Sequence, residues 1–134
     1  MAADYKALTR RWFEEVWNQR RTDTIADLLS PNVISHGLGE GKRTMGTVEF
    51  RKFHEQFSGA FPDIRVIIDE VIGEGNVTAV RFRCEATHRG DHLGMKATGR
   101  PVQFSGMCMI HWNDGKIVEA WNEYDAAGMM QQLA

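Results

Sequence analysis

The chain has 134 residues, of which 43% are hydrophobic in type, with 16 Lys or Arg against 18 Asp or Glu and a formal net charge of −2. Such a length suits one domain, spanning 1–134, with enough apolar material to form a core that needs no disulfide or metal staple. The scattered charges form no basic stripe, which argues against nucleic acid; no stretch reaches the length of a bilayer span; and Cys84 and Cys108, in no metal-ligand spacing, fit a reducing cytoplasm.

The first residues, Met1 to Lys6, lack the basic segment and apolar run of a secretory signal. From Tyr5 to Gln19, Leu8, Trp12 and Val16 recur at helical spacing with Phe13 and Trp17 beside them, while Arg10, Arg11, Glu14 and Glu15 fill the rest. This pattern predicts a first helix. Thr22 to Leu29 repeats it more briefly through Ile25, Leu28 and Leu29, and Ser30-Pro31 should end it, because proline disfavours a helical residue before it. Val33 to His36 reads as a short strand. Gly37 to Gly46 holds four glycines and reads as a mobile loop of the kind that covers pockets. Thr47 is the expected N-cap of a third helix, whose Phe50, Phe53, Phe57 and Ala60 form one aromatic stripe before Pro62.

Beyond Pro62 the period falls to two. Ile64, Val66 and Ile68 alternate with polar neighbours up to a turn at Gly73 to Asn76. Val80, Phe82, Cys84 and Ala86 then share one face of the next strand, opposite Arg81, Arg83 and Glu85, so the sheet is wet on one side. Arg89 to Pro101 reads as a long connection and Val102 to His111 as a strand. Asn113-Asp114-Gly115 is a hairpin signal leading into Lys116 to Tyr124. Helices followed by a run of antiparallel strands define an α+β fold, with a bent sheet wrapped around the first and third helices.

The ordered set Phe61-Pro62-Asp63, Thr87-His88-Arg89-Gly90, Gly94, Thr98-Gly99-Arg100-Pro101-Val102 and Asp114-Gly115-Lys116-Ile117-Val118-Glu119 with Trp121 resembles the SnoaL-like polyketide cyclases of the nuclear transport factor 2 (NTF2)-like superfamily. The resemblance extends to Glu15-Val16-Trp17-Asn18 and to the closing Gly128 to Leu133. It implies a cone-shaped roll, a curved mixed or antiparallel sheet around N-terminal helices, an enclosed pocket and often a dimer. It also implies ring closure of polyketides by aldol condensation with no metal or cofactor. In ring-closing members an aspartate on the last strand is the acid/base. Aligned through Asp114-Gly115-Lys116-Ile117, that position is Asn122 here. An amide cannot exchange a proton near neutral pH as a carboxylate does, although it donates a hydrogen bond to a developing enolate.

On the last strand Val118, Ala120, Asn122 and Tyr124 share one face and Glu119, Trp121 and Glu123 the other. Asn122 and Tyr124 are therefore expected inside, with Asp125 as a strand-end residue. His36, at the end of its strand, is the leading acid/base candidate by its near-neutral pKa type; the catalytic set is His36, Asn122 and Tyr124. Trp12, Phe53, Phe57, Phe82, Phe104 and Cys108 are expected to line the pocket. His88 joins them by its apolar parity, against a structural turn role in Thr-His-x-Gly. His54 and His92 are expected at the surface, and His111 outside the pocket. Met107, Met109 and Trp121 form an apolar band on the outer face, which suggests a homodimer; a monomeric mass in light scattering would end that expectation.

The function expected is a cofactor-independent acid/base enzyme acting on a small hydrophobic carbonyl compound, polyketide-like or cyclic, by aldol cyclisation or isomerisation. The alternatives are a non-catalytic small-molecule binder and a dimeric interaction module of the same fold.

Overall fold

The fold was derived from a computed structural model, which describes residues 4–38 and 43–134. Gly39 and Gly41 of the expected loop, and Met1 to Ala3, lie outside the described residues. The elements in chain order are α1 (Tyr5–Trp12), a π-helical segment (Phe13–Asn18), α2 (Thr22–Leu28), β1 (Leu29–His36), β2 (Thr44–Met45), α3 (Gly46–Ala60), β3 (Arg65–Glu74), β4 (Val77–Thr87), β5 (Pro101–Asn113), β6 (Lys116–Tyr124) and α4 (Ala126–Leu133).

The six strands form one mixed sheet in the order β2-β1-β6-β5-β4-β3. β1 and β6 run parallel, and the other neighbours are antiparallel. The register aligns apolar residues in rungs across the sheet: Val66, Cys84 and Phe104; Ile68, Phe82, Gly106 and Tyr124; Val80, Cys108 and Asn122. The core lies between this face and the helices. Register shifts between Ile68 and Glu70 and between His111 and Trp112 are bulges of the kind that bend a sheet. At one end Trp112 is fully buried. Its indole N–H donates to Thr78 Oγ1 at 3.0 Å, and Tyr5 stacks on it at 5.2 Å.

Several boundaries differ from the sequence reading, each for a physical reason. The expected single helix to Gln19 is α-helical only to Trp12 and then widens, with the Gln19 N–H reaching back five residues to the Glu14 carbonyl at 2.9 Å. The wider turn buries Phe13, Val16 and Trp17 together. α2 ends at Leu28, one residue short of the expected Leu29, and Ser30-Pro31 lies not in a loop but within β1, where the register against β6 shifts between Leu29 and Ile34 and a missing N–H costs no ladder bond. Thr47 is not the cap of α3: Met45 holds that position, and its N–H donates to the Glu49 carboxylate at 2.6 Å.

α4 was not anticipated. Asp125 starts it by accepting the Gly128 N–H at 2.8 Å, and Met129 and Leu133, four residues apart, are buried. The Gln132 side chain donates to and accepts from the Gln103 backbone, both at 2.8 Å, covering β5 where β6 no longer pairs with it.

His54, expected at the surface, is buried: it falls on the α3 stripe with Phe50 and Phe57. Its Nε2 donates to the Val16 carbonyl at 2.7 Å, tying α3 to the π-helical segment. Burial is the main cause holding its pKa below the ordinary 6.5, so the folded chain keeps a neutral imidazole there. Above the unfolded value both states are neutral. As pH falls below it the unfolded chain binds the extra proton, and stability falls. The melting temperature should therefore drop from about pH 7.5 to about pH 5.5 more steeply than in His54→Gln, which retains a donor; equal slopes would contradict this.

Candidate functional site

An apolar cavity of about 60 Å³ lies between α3, the π-helical segment and the concave face of the sheet. Phe13 and Trp17 enter it because the widened turn presents both on one side, while Trp12 turns to Phe50 at 5.3 Å. Phe53 and Phe57 project from α3. The sheet supplies Val66, Phe82, Cys84 and Phe104, and β6 supplies Asn122 and Tyr124. Gly106 sits between Phe82 and Tyr124 in the register. A Cβ there would stand 2.7 Å from the Phe82 ring and 2.9 Å from the Glu123 carbonyl oxygen, so the glycine makes room for that ring.

The cavity's polar character is concentrated on β6. Asn122 Nδ2 donates to the His36 carbonyl at 2.9 Å, which fixes the amide in the wall; its remaining N–H and its Oδ1 are left to face other groups. The Tyr124 ring meets Phe57 edge-on at 6.1 Å and Phe104 at 5.9 Å, so it is held by aromatic packing. Burial pushes the Cys84 thiol up to about 12, and that of Cys108 likewise to about 12. Both cysteines are free and buried, and as neutral thiols they are poor nucleophiles.

The structure thus brings Asn122, Tyr124, Phe53, Phe57, Phe82 and Phe104 to one cavity, and does not bring the rest. His36 lies on the other face of the sheet. It stacks on Trp121 at 5.1 Å, and its Nε2 pairs with Glu119 at 2.8 Å, so it cannot reach a ligand in the cavity. The signal was present in the sequence: Val33 is a core residue, and strand alternation places Ser35 with it, both buried, and His36 opposite. Trp12 packs in the core behind the cavity. Cys108 is buried beside Asn122 in the register without lining the cavity.

His88 is fully buried and structural. Its Nδ1 accepts the Thr98 N–H at 3.2 Å, and its backbone closes the neck of the 89–99 loop through Arg100 and Gly99 at 2.9 and 2.8 Å. His111 sits outside, against Trp121 at 4.9 Å, and Met107, Met109 and Trp121 are exposed on that face.

A wider groove, about 720 Å³, adjoins the cavity. α3, the loop at His92 to Gly94, and α4 enclose it, and Phe53, Phe57 and Tyr124 belong to both spaces. His92 is exposed, as expected, but its position is built. Gly59, inside α3, costs about 1 kcal/mol against alanine in a helix, and a Cβ there would stand 2.6 Å from the His92 ring.

Among the described residues no group of three or more His, Cys, Asp or Glu is placed to hold a metal ion, and no helix is long and apolar enough to cross a membrane.

An α+β roll with one aromatic cavity on the concave face of a mixed sheet is the NTF2-like architecture. The chain matches the family model of the SnoaL-like polyketide cyclases over residues 7–133, and it belongs to that family. Solved structures share the fold. A candidate SnoaL-like polyketide cyclase from Jannaschia sp. CCS1 is 19% identical, with 99% of this chain and 96% of that chain covered and a TM-score of 0.87. IdmH, a candidate polyketide cyclase from Streptomyces antibioticus, is 24% identical over 98% and 99% of the two chains, with a TM-score of 0.83. AclR, a candidate hydroxylase from Streptomyces galilaeus, is 26% identical over 99% and 97%, with a TM-score of 0.84. No curated protein matches the chain in sequence.

Proposed function

We propose that the chain is a single domain whose cavity binds a flat, largely apolar carbonyl compound, polyketide-like or cyclic, and rearranges it by cofactor-independent proton transfer, as in aldol cyclisation or isomerisation. The observation that carries this reading is the adjacency of Asn122 and Tyr124 on the wall of an aromatic cavity. Apolar walls exclude water, which strengthens a hydrogen bond to an oxygen that gains charge. Asn122 and the Tyr124 phenol donate hydrogen bonds to that oxygen while the carbon-bound proton passes to a water molecule at the cavity mouth, where Tyr124 borders the open groove. His36 takes no part.

A second reading, a non-catalytic binder, is favoured by Asn122 itself, since an amide cannot act as the proton acceptor that the family's ring-closing members carry there. A thermal-shift panel of aromatic ketones first identifies a ligand, and binding and turnover are then compared in Asn122→Ala and Tyr124→Phe. Turnover reduced far more than binding supports the enzyme. A ligand-dependent melting shift with no turnover in any form supports the binder, and a shift unchanged in both variants removes the cavity from either role.

A further inference from the structure

The cavity is small for the compounds its chemistry suits: about 60 Å³ against roughly 300–1,000 Å³ for ordinary small-molecule pockets. The adjoining groove is about 720 Å³. Phe53, Phe57 and Tyr124 line both spaces, with the Phe53 and Phe57 rings 5.5 Å apart and the Phe57 and Tyr124 rings 6.1 Å apart. Phe53 is half-buried and lines both spaces. A ligand that displaced the Phe53 ring would join the two spaces into one two-part site.

The groove differs from the cavity in its polar groups. Gln56 reaches it from α3 and His92 from the loop, above the apolar Leu93 and Met129. The His92 ring lies against two glycines from different segments: a Cβ on Gly59 would meet it at 2.6 Å and one on Gly90 at 2.7 Å, although at Gly90 the nearer obstacle is the Gly59 carbonyl oxygen, so that glycine also serves the close approach of the two backbones. Gly90 is in turn held at the end of α3 by its N–H to the Ala60 carbonyl at 3.2 Å. A glycine inside a helix weakens the helix, and here the space it leaves is filled by an imidazole that borders the groove. The exposed imidazole therefore has a defined seat at the edge of the groove.

We propose that His92, with Gln56 beside it, is a specificity-determining residue that receives the distal end of an elongated ligand. The ligand class is an apolar ring carrying its ketone in the cavity and an acyl tail whose carboxyl or ester oxygen accepts a hydrogen bond in the groove. The proposal rests on the cavity reading above and extends it to the shape of the substrate. His92 does not touch the reacting carbonyl; it selects for the tail.

The test uses the full chain and two probes, 2-acetylnaphthalene and 4-(2-naphthyl)-4-oxobutanoic acid, which share the ring ketone and differ in the tail. Calorimetric titration of the wild type should show the long probe binding about tenfold more tightly. His92→Ala should abolish that preference while leaving the short probe unchanged. Gly59→Ala, which crowds the imidazole without deleting it, should reduce the preference in the same direction if circular dichroism shows the fold retained. Equal affinity of the two probes for the wild type, or a preference that survives His92→Ala, would overturn the proposal and leave the cavity reading standing. Failure of both probes to bind the wild type would overturn both.

Discussion

Gly37→Ala is expected to be the most damaging small substitution near the site, at about 3 kcal/mol of lost stability. Gly37 follows β1 at φ +79, a left-handed conformation that costs an L side chain about 1–2 kcal/mol. A Cβ there would also overlap the Asn122 carbonyl oxygen and lie 2.9 Å from its carbonyl carbon. Because that oxygen belongs to a sheet strand, β1 or β6 must shift, and Asn122 with it. Gly94→Ala is the control: its φ is +81, and a Cβ would meet nothing within 4 Å, so only the conformational cost applies. Urea unfolding should show Gly37→Ala losing more than Gly94→Ala by about 1–3 kcal/mol, the overpacking contribution. Equal losses would mean that the close approach of Gly37 to Asn122 carries no weight.

The second large effect concerns turnover. Removing the Asn122 amide or the Tyr124 hydroxyl should lower kcat by about a hundredfold, the usual range for a donor aimed at developing charge, while weakening binding by about tenfold or less. Asn122→Asp separates the amide's structural role from its chemical one. The amide N–H that now donates to the His36 carbonyl would be replaced by a carboxylate facing a carbonyl oxygen, which favours the protonated acid and raises its folded pKa. A group with a raised folded pKa contributes fully below its unfolded value and loses that contribution as pH rises. The variant should therefore match the wild type best in acid and fall behind it toward neutral pH. A melting difference independent of pH would contradict the Asn122 to His36 contact.

The sequence exposes those parts of the fold that obey a single period. The two-residue alternation of β4, β5 and β6 places Cys84, Phe104, Asn122 and Tyr124 on the concave face, and each lines the cavity. The α3 stripe likewise yields Phe53 and Phe57. What escapes is set by pairing and by local exceptions. The parallel pairing of β1 with β6 passes through a register shift, and His36, the expected acid/base, falls on the outer face because the buried Val33 and Ser35 hold the inward parity. His54 follows Phe50 by four residues and precedes Phe57 by three, so its burial was legible, but its polarity hid it. Nothing in the sequence distinguishes a π-helical segment from an α-helix, and that segment decides that Phe13 and Trp17, not Trp12, face the cavity. The seat of His92 depends on two glycines brought together from distant segments, a relation no local pattern carries.

A crystal structure of the protein with 2-acetylnaphthalene bound tests the central claim most directly. The expected result is a naphthyl ring among Phe53, Phe57, Phe82 and Phe104, with its ketone oxygen within about 3.2 Å of Asn122 Nδ2 or the Tyr124 hydroxyl. A ring stacked instead on Trp121 at the outer face, with the cavity side chains unmoved, would contradict it.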